Sequence, residues 1–287
     1  MAESLAIMKK NIVDVVSTKV RELTERGELS FPPNYSPDNA LKSGWLKLQS
    51  TVDKNGKPVL ASCTSDSIAN SLLDMVVQGL TVMKDQGYFI AYGQRLTFFP
   101  SYFGVMNVAK RVTGAKEIFA QVVYEGDEFE FEIKRGRKTV TKHVQTMKSI
   151  NKAVIDGAYC TLIFSDDQEY TDFMTLAEIH QSWKQSKQNP MSENSTHSKF
   201  PGEMAKRTVI NRACKMYIKS SDDSSLIIKH FKRSMDATGE AEVEEEIAEN
   251  ANKTAIDVGY TEIDEETGEI MQDAGSAMEP EKVAAPF

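Results

Sequence analysis

Charge is divided so unevenly along this chain that only part of it is expected to fold around a core. Residues 234–287 carry 16 acidic and 2 basic side chains, and Glu240 to Glu249 alone contains six glutamates. A segment this acidic and this poor in aromatics cannot bury enough apolar surface to offset the entropy of ordering it, so a disordered tail is expected. Composition leaves open whether that tail is simply solvated or binds a partner. Residues 1–233 hold 26 acidic and 32 basic side chains, a net of +6, although the whole chain has a net of −8. The average would argue against a nucleic-acid binder; the part expected to fold has the opposite sign.

Other features narrow the class. Cys63, Cys160 and Cys214 are odd in number and far apart, with no CxxC pair, so neither a disulfide framework nor a structural zinc site is indicated. Residues 1–10 lack the apolar run of a secretory signal, and no stretch approaches the roughly 18 apolar residues of a membrane span. A cytoplasmic protein with no membrane partner is the expectation.

Periodicity predicts alternating helices and strands. Leu5, Met8, Ile12, Val16, Val20 and Leu23 recur at helical spacing within a helix over 4–26, stopped by Gly27. Its apolar stripe needs a cover, either its own domain or a neighbouring subunit. Helices are also predicted near 39–49, 65–78, 101–113, 175–187 and 201–219, the one at 175–187 opened by the capping box Thr175-Leu176-Ala177-Glu178. Residues 88–92 and 95–99 read as a hairpin about Gly93-Gln94. Strands are predicted at 117–124 and 128–133, with Gly126-Asp127 turning between them, and at 157–164 and 169–174. The fold expected is α+β, a meandering antiparallel sheet with packed helices. Residues 1–233 form the working domain, and 234–287 an acidic tail or small partner-binding region.

Three features carry chemistry. From Lys134 to Lys152 there are seven basic residues, Lys134, Arg135, Arg137, Lys138, Lys142, Lys148 and Lys152, with no acid among nineteen positions. Such a run suits the phosphates of a flexible backbone, or else is a solubilising loop. In the 201–219 helix, Val209, Ile210, Ala213, Met216 and Tyr217 form a core face. Arg207, Arg212, Lys215 and Lys219 share an opposite sector of about 140°, either the wall of a nucleic-acid groove or a plain solvated face. Finally, seven aromatics crowd residues 88–103. Most are expected in the core, and Tyr92 and Tyr102 are the candidates for stacking on unpaired bases.

Enzyme signatures are sparse. GxxxxGK[ST], GxSxG, HExxH and GxGxxG are all missing, and His143, His180, His197 and His230 lack ligand spacing. The alternative function is a metal-dependent nuclease. Asp127 with Glu132-Ile133-Lys134 has the look of a D…ExK site, two carboxylates for Mg²⁺ and a lysine beside the scissile phosphate. Alternating glutamates on an exposed strand produce the same string by chance.

Several strings resemble a known family. Gln78-Gly79-Leu80, residues 87–93 (GYFIAYG), the helix from Tyr102 to Gly114, residues 122–130 (VVYEGDEFE) and residues 204–209 (MAKRTV) follow one another as in RecT-type phage and prophage single-strand annealing proteins. The resemblance covers roughly residues 5–220. It implies ATP-independent binding of single-stranded DNA, annealing of complementary strands in homologous recombination, and retention of the new duplex in a basic groove. It also implies assembly into rings or helical filaments, and work beside a 5′→3′ exonuclease and a host single-strand-binding protein. Neither ATP nor Mg²⁺ chemistry is implied, and the protein is not expected to be an enzyme. The cations expected in the groove are Lys206, Arg207, Arg212 and Lys215, then Lys110 and Arg111, then Lys134 to Lys148.

Overall fold

The computed structural model describes residues 2–166, 168–184, 192–193, 195–221 and 226–236. These belong to one unit, Met1–Glu245. Beyond Asp236 the acidic tail lies outside the described residues, as do residues 185–187 of the predicted fifth helix.

The first layer is helical. Helix α1 (Ala2–Glu25) buries Ile12, Val16, Val20 and Leu23 against α2 (Pro37–Ser50) and α4 (Ser65–Val77), so along these residues its stripe is covered by its own domain. Pro37 opens α2, where it forfeits no needed N–H, and the Ser36 hydroxyl accepts the Asn39 N–H at 3.3 Å. The single turn α3 (Val59–Ser62) leads to α4, capped by Thr64 and burying Ile68, Leu72, Met75 and Val76. A 3-10 turn, Val82–Lys84, precedes the expected hairpin of β1 (Gly87–Tyr92) and β2 (Arg95–Pro100). Helix α5 (Tyr102–Thr113) follows, capped by Ser101 and ended by Gly114 at φ 73°.

The second layer is a five-stranded antiparallel sheet of β3 (Glu117–Tyr124), β4 (Glu128–Lys134), β5 (Arg137–Val144), β6 (Ile155–Ile163) and β7 (Glu169–Thr175), in the order β3-β6-β7-β5-β4. The turn at Gly126-Asp127 is present, but it does not make a hairpin: β3 pairs with β6 and β4 with β5. Strand β5 corrects the reading of the basic run as a loop; its Thr139-Val140-Thr141 core is β-branched and prefers a strand. Four flat strand spacings would separate β3 from β4 by about 19 Å. The link from Tyr124 to Glu128 can reach only about 14 Å. The sheet therefore has to curl. The β4–β5 hairpin joins β7 through one registered pair, Lys138↔Thr171, and lays Phe129 against both Tyr159 of β6 and Phe173 of β7, at 5.6 and 5.4 Å between ring centroids.

The remaining helices are α6 (Met147–Lys152), α7 (Leu176–Trp183), α8 (Thr196–Lys199), α9 (Pro201–Ser220) and α10 (Leu226–Asp236). The capping box of α7 forms as expected. Helix α9 packs on α5, β3, β6 and β7, bringing the two layers together. Helix α10 was not anticipated, and it continues through residues 234–236, which composition assigns to the tail. It is held by a buried polar cluster: His230 Nδ1 lies 2.5 Å from Asp74 Oδ1, and Arg233 Nε lies 3.0 and 3.1 Å from the two Asp74 oxygens. Buried Ser234 accepts a hydrogen bond from Gln78 Nε2 at 2.9 Å.

Gly104 sets the depth of α5. A Cβ there would stand 2.1 Å from the Gln86 carbonyl oxygen. Alanine in a helix interior normally gains roughly 0.5–1 kcal/mol over glycine. Gly104→Ala is instead expected to destabilise by about 1–3 kcal/mol, as overpacking does, measured as a lower denaturation midpoint with an unchanged m-value.

Candidate nucleic-acid interface

Helix α9 does not present the clean two-faced pattern its sequence suggests. Met204, Ala205, Val209, Ile210, Ala213, Cys214 and Ile218 are buried, whereas Met216, assigned to the core, is 49% exposed. The helix has neighbours on several sides, so its buried surface is wider than one stripe and includes Ile218, within the sector expected to be basic. Arg207, Asn211 and Lys215 stand half-buried on one line at spacings of four, with exposed Arg212 beside it and exposed Lys219 beyond.

One groove borders this stripe, and a second lies along α5. The first, of about 470 Å³, runs between α7 and α9, with Gln181 and Ser182 facing Thr208, Asn211, Arg212 and Lys215. Arg212 is braced there by Asp172 (Nε to Oδ2, 2.9 Å) and Glu178 (NH1 to Oε1, 3.4 Å). Buried Asp172 also faces Lys138, 3.8 Å away, so Arg212 and Lys138 together neutralise it. The backbone N–H of Thr175 holds the Glu178 carboxyl below the usual carboxylate range; burial opposes this, and the Thr175 hydroxyl and Arg212 add to it. The second groove, of about 420 Å³, lies along α5, between Lys84 to Gln86 and the face carrying Phe103, Met106, Asn107 and Lys110.

Arg207 acts on side chains of both α5 and α8. Burial raises the Tyr102 pKa, as do Glu203 and Tyr88, while the nearby Arg207 charge lowers it. Burial lowers the His197 pKa, and Arg207 lowers it further. Tyr102 and His197 thus lie within electrostatic reach of one guanidinium. Tyr102 also packs on Phe103 at 3.9 Å, linking Arg207 to the α5 groove. Lys206 is paired with Glu203 at 3.2 Å.

The other expected cations are dispersed. Arg111 donates to the carbonyls of Val77 and Ser30 and lies over Phe31, so it fastens a loop to the end of α4. In the basic run, Lys134 pairs with Glu132 two residues earlier on β4, and Lys142 pairs with Glu128 because β5 lies beside the glutamate strand β4. The nineteen acid-free positions are acid-free in sequence only. Arg135 and Gly136 adopt positive φ at the hairpin tip, leaving Arg135 and Arg137 exposed; Arg137 lies close enough to Tyr217 of α9 to lower its pKa, against the larger effect of burial. Lys148 is exposed on α6, and Tyr92 is exposed at the end of the β1–β2 hairpin. Sequence reasoning missed Lys84, Phe103, Asn107 and Asn211, although Phe103, Asn107 and Lys110 stand at helical spacing.

The nuclease alternative fails at Asp127. Its buried side chain accepts hydrogen bonds from Ser149 Oγ, Gln145 Nε2 (2.8 Å), the Tyr124 N–H (2.9 Å) and His143 Nε2 (3.2 Å). These bind α6 and the end of β5 to the β3–β4 turn. Glu132 and Lys134 pair with each other, and no group of three or more metal-ligating side chains occurs among the described residues.

A cationic stripe bordering a groove, without a metal-ligand cluster among the described residues, suits the phosphates of a nucleic-acid backbone. The RecT family model matches residues 38–255, well over half of the chain, and the chain belongs to the RecT family. The resemblance read from the VVYEGDEFE and MAKRTV strings is thereby borne out. This is a family of proteins that bind single-stranded DNA and anneal it in recombination. No curated protein matches the chain. Among the described residues, no helix is long and apolar enough to cross a membrane.

Burial pushes the Asp127 pKa up, but its four hydrogen-bond donors outweigh this and bring it down to about 2. The unfolded value is about 3.9. Its stabilisation is therefore full above pH ~4 and lost as pH falls toward 2. Asp127→Ala should cost roughly 1–3 kcal/mol at neutral pH and reduce the loss of stability between pH 4 and 2, measured by denaturant titration at each pH.

Proposed function

We propose that this protein anneals complementary single strands without ATP or a divalent metal, holding phosphates along the half-buried line of Arg207, Asn211 and Lys215 on α9. The observation that carries this reading is Arg207, Asn211 and Lys215 on one line of a helix locked between two layers. Arg207 and Lys215 are eight residues apart, about 12 Å along the axis. Arg212 flanks this line, and a guanidinium has five donors, enough to serve both Asp172 and a phosphate. Cations fixed on a rigid helix bind backbone without reading sequence, and leave selection to base pairing. Annealing forms and breaks no covalent bond, so no catalytic residue is assigned. Lys110 and Tyr102 extend the track toward α5, and Arg137 approaches it from the β4–β5 tip. Arg111, Lys134 and Lys142, held by other partners, and Tyr92 of β1 and Lys148 of α6 are left out of it.

Further parts of the reading rest on the family and the charge pattern. The protein assembles into rings or helical filaments in a phage or prophage setting, in the cytoplasm. A 5′→3′ exonuclease would supply its strands, and a host single-strand-binding protein would hand them over. On charge grounds, the acidic residues after α10 contribute no phosphate contacts.

The experiment mixes complementary oligonucleotides with protein in EDTA and without nucleotide. Faster duplex formation with intact strands is expected; no shift of single strands at low salt would refute the reading. Arg207→Ala and Lys215→Ala should each weaken binding about equally across sequences and lower the slope of log K against log salt by about 0.7. Unchanged slopes would place the phosphates elsewhere.

A further inference from the structure

The geometry points to the α5 groove as a stacking platform for an unpaired base, with Phe103 as the ring that receives it. This deepens the phosphate reading and rests on it. Phe103 is 46% exposed on a helix whose core contacts are made instead by Val105, Val108 and Ala109. A half-exposed aromatic contributes less to the core than a buried one and is open to a ligand. Phe103, Met106, Asn107 and Lys110 share one face of α5, and Lys84 comes from the preceding 3-10 turn. The groove thus combines an aromatic ring, a polarizable thioether, an amide and two ammonium groups, within about 420 Å³, the size range of small-ligand sites.

The charge around the groove selects the occupant. Lys84 and Lys110 are opposed by Asp85, leaving one net positive charge. That is too little to hold a strand by phosphates alone, yet it favours an anionic chain over a neutral apolar peptide. The platform is also continuous with the α9 track, because Tyr102 packs on Phe103 at 3.9 Å and lies within electrostatic reach of Arg207. A strand running from Arg207 past Tyr102 would bring an unpaired base to Phe103. A base inside a duplex is already stacked on both faces, so the platform favours single strands over the annealed product.

The test uses the full chain, oligo-dT of about 20 nucleotides and an abasic oligomer of equal length. Phe103→Ala is expected to weaken oligo-dT binding roughly ten- to a hundredfold, leave abasic binding unchanged and preserve the salt slope, because stacking releases no counterions. Phe103→Trp keeps the stacking surface and adds an emitter to the buried Trp45 and Trp183. Its extra emission should be quenched by oligo-dT and not by the abasic oligomer. Equal weakening for both oligomers, or an unquenched emitter at position 103, would overturn the platform. Abasic binding that ignores salt would instead overturn the phosphate track beneath it.

Discussion

Helix α9 can carry a cationic stripe because so much of the rest of it is buried. Its contacts with α5 and with β3, β6 and β7 fix its rotation, and Ala205, Ala213 and Cys214 are small enough to let those neighbours come close. The entropy of ordering the backbone at Arg207 and Lys215 is therefore spent in folding. Under the proposed function, a phosphate bound there would have only side chains left to order.

Acidic residues shape the surface as much as basic ones do. Asp172 lies buried under α9 and takes Arg212 and Lys138 as partners; Glu178 fixes the other side of Arg212 while capping α7. Asp127 serves the same end at the sheet corner, where its donors come from four separate positions. A buried carboxylate is costly unless each oxygen is satisfied, so each of these acids orders several segments at once. In the basic run, Glu128 and Glu132 pair with Lys142 and Lys134. The net positive surface is smaller than the basic count suggests.

The curl of the sheet connects architecture to chemistry. A link of three residues between β3 and β4 cannot reach across a flat five-stranded sheet, so the β4–β5 hairpin folds over and packs Phe129 on Tyr159 and Phe173. That same fold turns Arg137 and Lys138 toward α9. The aromatics of the β1–β2 region divide differently: Phe89 and Phe98 enter the core, while Tyr88, Tyr92 and Phe103 stay near half exposed.

Local signals carried much of this protein on their own. Helical spacing located α1, α4, α5 and α9; Ser101 and Thr175 marked helix starts; and splitting the charge at residue 233 exposed the basic body. These are properties of neighbouring residues, which act before any long-range contact forms. Which cations meet a ligand was a different matter. Spacing alone cannot separate Lys110, which lines a groove, from Arg111, which donates to two carbonyls one residue later. Lys142 and Arg137 belong to one run in sequence, yet Lys142 meets a carboxylate across the ladder from β4 while Arg137 comes near Tyr217 of α9. Pairing of that kind depends on strand order and helix rotation, set by the whole core at once, and so it became visible only in the tertiary structure.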